Sequence, residues 1–233
     1  MKKMCFFFLC ISLLSINGFA SESKFSDING HWAKNVIEKW QDHGYINGYP
    51  DGSFKPDNPV TRAELAKILT LAFDLQESAD ITYDDIPDSE WYFPYLEKTV
   101  NYIPMYSLPT LYESNIPYSE NVWKNKFLPD VNAIRMHVAE ALVKIKIEKE
   151  NIVVADLSIQ EINQQNTEVF KDTAYHSLDA FPHSGIPQNT KRMNYYTWLA
   201  HKLNIMVGDD GYFYPYGYMT RAELLTAIDR IIE

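Results

Sequence analysis

A mainly α fold is the prediction for this 233-residue chain, built as three tandem helix-loop-helix units around a shared core. Three observations predict it. The stretch Gly52 to Leu65 returns as Gly211 to Leu224 in unbroken register, both reading Gly-x-Phe-x-Pro and then Thr-Arg-Ala-Glu-Leu. A decayed copy lies between them: Phe127-Leu128-Pro129 is followed six residues after the proline by Arg135, embedded as Ile134-Arg135-Met136-His137. Apolar residues then recur at helical spacing after each copy, and no strongly alternating run argues for a strand.

Taken in order, residues 1–20 read as a secretory leader, with Lys2 and Lys3, a short apolar run and the small residues of Gly18-Phe19-Ala20 before Ser21. The run is too short to cross a bilayer, for which about 20 apolar residues are needed. Phe8-Leu9 leaves no small residue ahead of Cys10, which argues against an acylated lipoprotein signal. Unit 1 is assigned to 21–78, unit 2 to 79–150 and unit 3 to 151–233. Their starts agree: Phe25-Ser26-Asp27-Ile28, Tyr83-Asp84-Asp85-Ile86 and Phe170-Lys171-Asp172-Thr173. In unit 1, Trp32, Val36, Ile37 and Trp40 mark a first helix, Gly44 suits its C-terminal cap, and Gly48 to Gly52 supplies turn residues. Second helices follow, with apolar faces at Leu65, Ile68, Leu69, Ala72 and Phe73, at Val138, Ala141, Leu142 and Ile145, and at Leu224, Ile228, Ile231 and Ile232. Units 2 and 3 carry insertions, 101–126 and 177–191, whose Pro104, Pro109, Pro117, Pro182, Gly185 and Pro187 read as loop. A lone unit of about 50 residues buries too little surface to stand alone, so a shared core is required.

Composition removes several function classes. With 21 Lys+Arg against 31 Asp+Glu the formal charge is −10, and the absence of a basic patch argues against nucleic acid. Both cysteines, Cys5 and Cys10, fall in the leader, so the remainder has no thiol chemistry and no disulfide. The six histidines, His31, His43, His137, His176, His183 and His201, lack metal-ligand spacing, and no metal or cofactor is expected. The chain also lacks a Gly-x-Ser-x-Gly elbow, a phosphate-cradling loop and a His-Glu-x-x-His pair, so it does not read as an enzyme.

Thr61 with Glu64, and Thr220 with Glu223, read as capping boxes. Arg62 and Arg221 are different, because a cation at a first helical position opposes the macrodipole by about 0.3–1 kcal/mol. An anion site formed by the guanidinium and the free N–H groups of the first turn would explain it. Trp32 has two readings, a buried helix anchor or an exposed face that stacks on a sugar. Asp27 and Asp51 read as turn formers or as ligand contacts. Gly52 and Gly211 permit positive φ in tight turns.

Residues 25–233 resemble the S-layer homology (SLH) family on these motifs. Unit 1 reads Phe25-x-Asp27-Ile28, His31-Trp32-Ala33, Gly44-Tyr45-Ile46-x-Gly48-Tyr49-x-Asp51-Gly52-x-Phe54-x-Pro56 and Thr61-Arg62-Ala63-Glu64. Unit 2 keeps Trp91 but loses the Gly-Tyr-x-Asp-Gly loop and the Thr and Glu around Arg135. Unit 3 keeps Gly208, Asp210, Gly211, Phe213 and Pro215 but has Ser177 in place of the tryptophan. The resemblance implies a pseudo-threefold bundle whose inter-repeat grooves hold secondary cell-wall polysaccharide, commonly through a pyruvylated N-acetylmannosamine. It implies a secreted anchor at a bacterial cell wall or envelope surface, and a carbohydrate-binding set of Arg62, Arg221, Trp32, Asp27, Asp51, Gly52, Asp210 and Gly211. Grooves around Arg62 and Arg221 are expected to bind and the Arg135 groove to be weak. Two alternatives stay open: direct attachment to peptidoglycan in a diderm envelope, and a protein-interaction module presenting Tyr102, Tyr106, Tyr112, Tyr118 and Trp123 to other envelope proteins.

Overall fold

The computed structural model describes residues 25–81, 83–104, 126–154, 168–172 and 187–232, together with Glu161 and Gln164. The expected leader, Ser177, and the inserted Tyr106, Tyr112, Tyr118 and Trp123 lie outside the described residues. The chain is mainly helical: α1 (Lys34–Asp42), α2 (Arg62–Phe73), α3 (Phe93–Thr99), α4 (Arg135–Glu150), α5 (Pro187–Lys202) and α6 (Arg221–Ile232). Only isolated bridges accompany them among the described residues. One expectation needs correcting. The insertion 177–191 is not loop throughout, because α5 begins at Pro187, whose fixed φ suits a first helical position.

The capping boxes form as their spacing dictates. Thr61 accepts from the Glu64 N–H at 3.2 Å while the Glu64 carboxylate accepts from the Thr61 N–H at 2.9 Å. Thr220 and Glu223 repeat this at 3.2 and 3.0 Å. Leu65, Leu69 and Phe73 then face the core, and α2 stops at Asp74, which takes the left-handed region at φ 50°. Thr61→Ala should therefore lower stability by about 0.5–2 kcal/mol, read as a shifted chemical-denaturation midpoint.

Among the described residues the main helix pairs run between units. α1 packs on α6, α3 on α2 and α5 on α4, so each unit's first helix lies on the second helix of the unit before it. Trp40 ties one such seam, donating its indole N–H to Asp229 at 2.9 Å, with the Lys39 ammonium 2.8 Å from the same carboxylate oxygen. At the centre three buried residues hand bonds round a ring. The Val60 N–H donates to Met219 O at 2.9 Å, Met219 N–H to Ala133 O at 2.9 Å, and Ala133 N–H to Val60 O at 2.7 Å.

The aspartate of each unit's start fastens the Phe-x-Pro turn of the same unit. Asp27 accepts from the N–H groups of Phe54 and Lys55 at 2.8 and 2.7 Å. Asp85 does so from Phe127 and Leu128 at 2.8 and 2.7 Å, and Asp172 from Phe213 and Tyr214 at 2.9 and 2.7 Å. The residue after each phenylalanine sits at positive φ, Lys55 at 55°, Leu128 at 61° and Tyr214 at 55°, a strained turn held by the doubly bonded carboxylate.

Candidate functional site

The first helical residues of α2, α4 and α6 are arginines, and each reaches across into the next unit. Nε donates to the carbonyl of that unit's turn phenylalanine: Arg62 to Phe127 at 2.6 Å, Arg135 to Phe213 at 2.8 Å, Arg221 to Phe54 at 2.9 Å. The guanidinium also lies over the same ring, at 4.4, 5.6 and 4.5 Å from the centroid. The helix-start N–H groups are occupied as well. Arg62 and Ala63 donate to Val131 O and Pro129 O, Arg135 and Met136 to Gly217 O and Pro215 O, Arg221 and Ala222 to Asn58 O and Pro56 O, all at 2.9–3.0 Å. The expected anion site of free first-turn N–H groups is thereby corrected: the neighbouring turn already fills it.

What distinguishes the three arginines is where their outer nitrogens go. Arg62 is 1% exposed; its Nη2 donates to Pro104 O at 2.8 Å and its Nη1 lies 3.3 Å from His137 Nδ1. A guanidinium only donates, so the imidazole nitrogen is the acceptor in that contact. Burial pushes the Arg62 guanidinium down to about 10, still cationic at neutral pH. Arg135 Nη1 meets Glu223 Oε1 at 2.6 Å, whereas Arg221 Nη1 stands 3.6 Å from Glu64 Oε1 and its Nη2 donates to Asn47 O at 3.3 Å. Each box glutamate thus splits its two oxygens between its own cap and the preceding unit's arginine.

Two grooves open beside these pairs among the described residues. Groove 1, about 230 Å³, is walled by the unit 1 loop with Tyr45 and Tyr49, by Glu64 and Lys67 of α2, by Trp91 of unit 2 and by Arg221 of unit 3. Groove 2, about 460 Å³, repeats the plan with the unit 3 loop at Gly208 and Asp209, Glu223 and Arg230 of α6, Trp32 of unit 1 and Arg135 of unit 2. Trp91 and Trp32 are 52% and 63% exposed, far from the burial a core anchor would show. Lys67 holds its ammonium 5.7 Å from the Trp91 ring, with no carboxylate partner among the described residues. Arg230 donates to Ile205 O at 3.2 Å.

Placed on this geometry, the expected carbohydrate set divides. Arg221 and Trp32 line grooves. Arg62 does not, since Pro104, His137 and the Phe127 ring enclose it. Asp27 spends both carboxylate oxygens on backbone N–H groups. Asp51 accepts from the Ser53 N–H and hydroxyl at 3.0 and 2.6 Å, an Asx turn that holds its carboxyl below the usual range. Gly52 and Gly211, both at φ 78°, give carbonyls to Ser26 and Lys171, and Asp210 gives its own to the Lys171 ammonium. These five serve the turns and are absent from both groove walls. Arg135, Trp91, Lys67 and Arg230 are the groove residues that motif matching passed over. Counting helix positions from each arginine could have found one signal: Lys67 corresponds to Glu140 in unit 2 and to Thr226 in unit 3. Among the described residues no three His, Cys, Asp or Glu converge as metal ligands, and no helix is long and apolar enough to cross a membrane.

Residues 24–66 and 199–225 match the sequence profile described as the S-layer homology domain. These two regions are S-layer homology sequence. Both matched regions carry a Thr-Arg-Ala-Glu box, while unit 2, with Ile134 and His137 in those places, lies outside them. Three relatives are similar over part of this chain. Cell surface glycoprotein 1 of Acetivibrio thermocellus is 41% identical over 75 residues, 31% of this chain and 3% of that protein. The cellulosome-anchoring protein of the same organism is 31% identical over 35% of this chain and 19% of its own length. Outer membrane protein SlpA of Deinococcus radiodurans is 38% identical over 24% of this chain and 5% of its own. The matched stretches therefore span less than a fifth of any of these three.

Proposed function

We propose that this SLH protein attaches non-covalently to a bacterial cell envelope by binding secondary cell-wall polysaccharide in grooves 1 and 2, without catalysis. The observation that carries the reading is the pairing, in each groove, of an exposed tryptophan face with an arginine from another unit. An aromatic face takes the apolar side of a sugar ring, and a guanidinium or ammonium takes an acidic substituent such as a pyruvate ketal. The names of the cellulosome-anchoring and cell-surface relatives support an anchoring role, and the leader at 1–20 supports export. In groove 1, Arg221→Ala removes a charge-assisted contact of about 1.5–3 kcal/mol, and a roughly ten- to hundredfold weaker association with a pyruvylated saccharide is expected by titration calorimetry.

The test of the polymer is a pull-down with purified sacculi before and after acid extraction of the non-peptidoglycan polymer. Retention before extraction and release after it is the expected result. Retention that survives extraction would replace this reading with direct peptidoglycan attachment in a diderm envelope, a second reading favoured by the outer-membrane relative from Deinococcus radiodurans.

A further inference from the structure

The same box glutamate stands in both open grooves, yet it leaves them with different charge. In groove 2 the Glu223 carboxylate closes on Arg135 at 2.6 Å, Arg230 gives one bond to the Ile205 carbonyl at 3.2 Å, and Asp209 adds a second acid to the wall. In groove 1 the corresponding pair, Glu64 and Arg221, is open at 3.6 Å, and the Lys67 ammonium has no acid beside it among the described residues. Two cations face two acids in one groove, and two cations face a single acid in the other. We propose that Glu223 is a specificity-determining residue: its carboxylate acts as an anion built into groove 2, so that groove 2 takes an uncharged saccharide on Trp32 while groove 1 takes an anionic one through Lys67 and Arg221. This inference rests on the saccharide reading above.

The physical argument is one of competition. An anionic substituent entering groove 2 must part a charge-assisted bond of short length and then sit against Asp209, so it meets repulsion before it gains a contact. A neutral sugar leaves that pair intact. It needs only the 63% exposed Trp32 face, and groove 2 is twice as roomy as groove 1, about 460 against 230 Å³. In groove 1 an anion finds the Arg221 guanidinium, bonded to the Phe54 and Asn47 carbonyls, in a longer ion pair with Glu64 at 3.6 Å, and an ammonium with no acid to displace. The amide of Gln at the third helical position still accepts the Thr220 N–H, so Glu223→Gln removes the charge and keeps the cap.

The experiment titrates two probes, a methyl glycoside of N-acetylmannosamine with and without a pyruvate ketal, into the whole protein and its variants by calorimetry. Wild type should take one equivalent of the ketal sugar and one of the neutral sugar. Lys67→Ala should weaken the ketal sugar roughly ten- to hundredfold and leave the neutral sugar unchanged. Glu223→Gln should raise ketal stoichiometry from one to two. Should that variant melt early, Asp209→Asn leaves the cap untouched and should shift groove 2 toward the ketal sugar in the same direction. A wild-type protein that binds two ketal sugars equally, or a folded Glu223→Gln that still binds one at unchanged affinity, overturns the inference while leaving the saccharide reading standing. Absence of heat with both sugars in every variant overturns the saccharide reading and this inference with it.

Discussion

Arg62→Ala is expected to destabilise the protein by about 3–5 kcal/mol, because a large side chain 1% exposed would vanish from between two units. Its loss strands the carbonyls of Phe127 and Pro104 without their donor and leaves the Phe127 ring without its stacked cation. For a chain of this size that corresponds to a fall in melting temperature of roughly 6–20 °C. Circular dichroism during heating reads it directly. Saccharide binding by the fraction still folded should be unchanged. A variant that melts like wild type but loses saccharide would instead place Arg62 against a ligand. Arg62→Lys should recover only part of the loss, since an ammonium cannot serve the forked set of acceptors at one geometry.

Trp40→Ala carries a comparable expected cost, about 3–5 kcal/mol, from a residue 2% exposed at the seam between α1 and α6. It combines a cavity with the loss of the indole bond to Asp229, leaving that buried carboxylate to Lys39 alone. Trp40→Phe separates the two effects, retaining most of the volume and losing only the bond, and should cost about 1 kcal/mol. Equilibrium urea unfolding of both variants is the measurement; equal midpoints for Ala and Phe would show that the hydrogen bond rather than the packing holds the seam. Since α6 carries both Glu223 of groove 2 and Arg221 of groove 1, and the Trp40 ring packs 5.4 Å from that of Tyr45, the same substitution should loosen both grooves.

Much of the architecture was legible one unit at a time. Capping at Thr61 and Thr220, the apolar faces of α2, α4 and α6, and the turn glycines all depend on neighbours a few residues away, and pattern reading finds such neighbours. The grooves depend on something else. Each combines a loop and helix from one unit, a tryptophan from the next and an arginine from the one before, so a unit's match to the family pattern says little about the groove its arginine enters. Arg62 belongs to the best-matched unit but points at the worst-matched one, where His137 stands for the acid, Glu140 stands for Lys67, and Pro104 supplies an acceptor. Arg135 belongs to the decayed unit yet enters a groove with an intact glutamate. Sequence similarity ranked the arginines by their own surroundings, while packing ranks them by their partners'.

The ring of bonds through Val60, Ala133 and Met219 also constrains the order in which the chain can fold. During synthesis Val60 exists long before Met219, and the Phe54 carbonyl long before Arg221. The first unit therefore cannot complete its own loop from local contacts, and its unpaired groups wait for a segment more than 150 residues away in sequence. Such closure joins residues far apart in sequence, and pairings of that kind slow the transition to the native state. A chain that reaches its final shape only when its last helix arrives stays pliable until then, the condition a polypeptide needs in order to be threaded through a narrow passage before it sets.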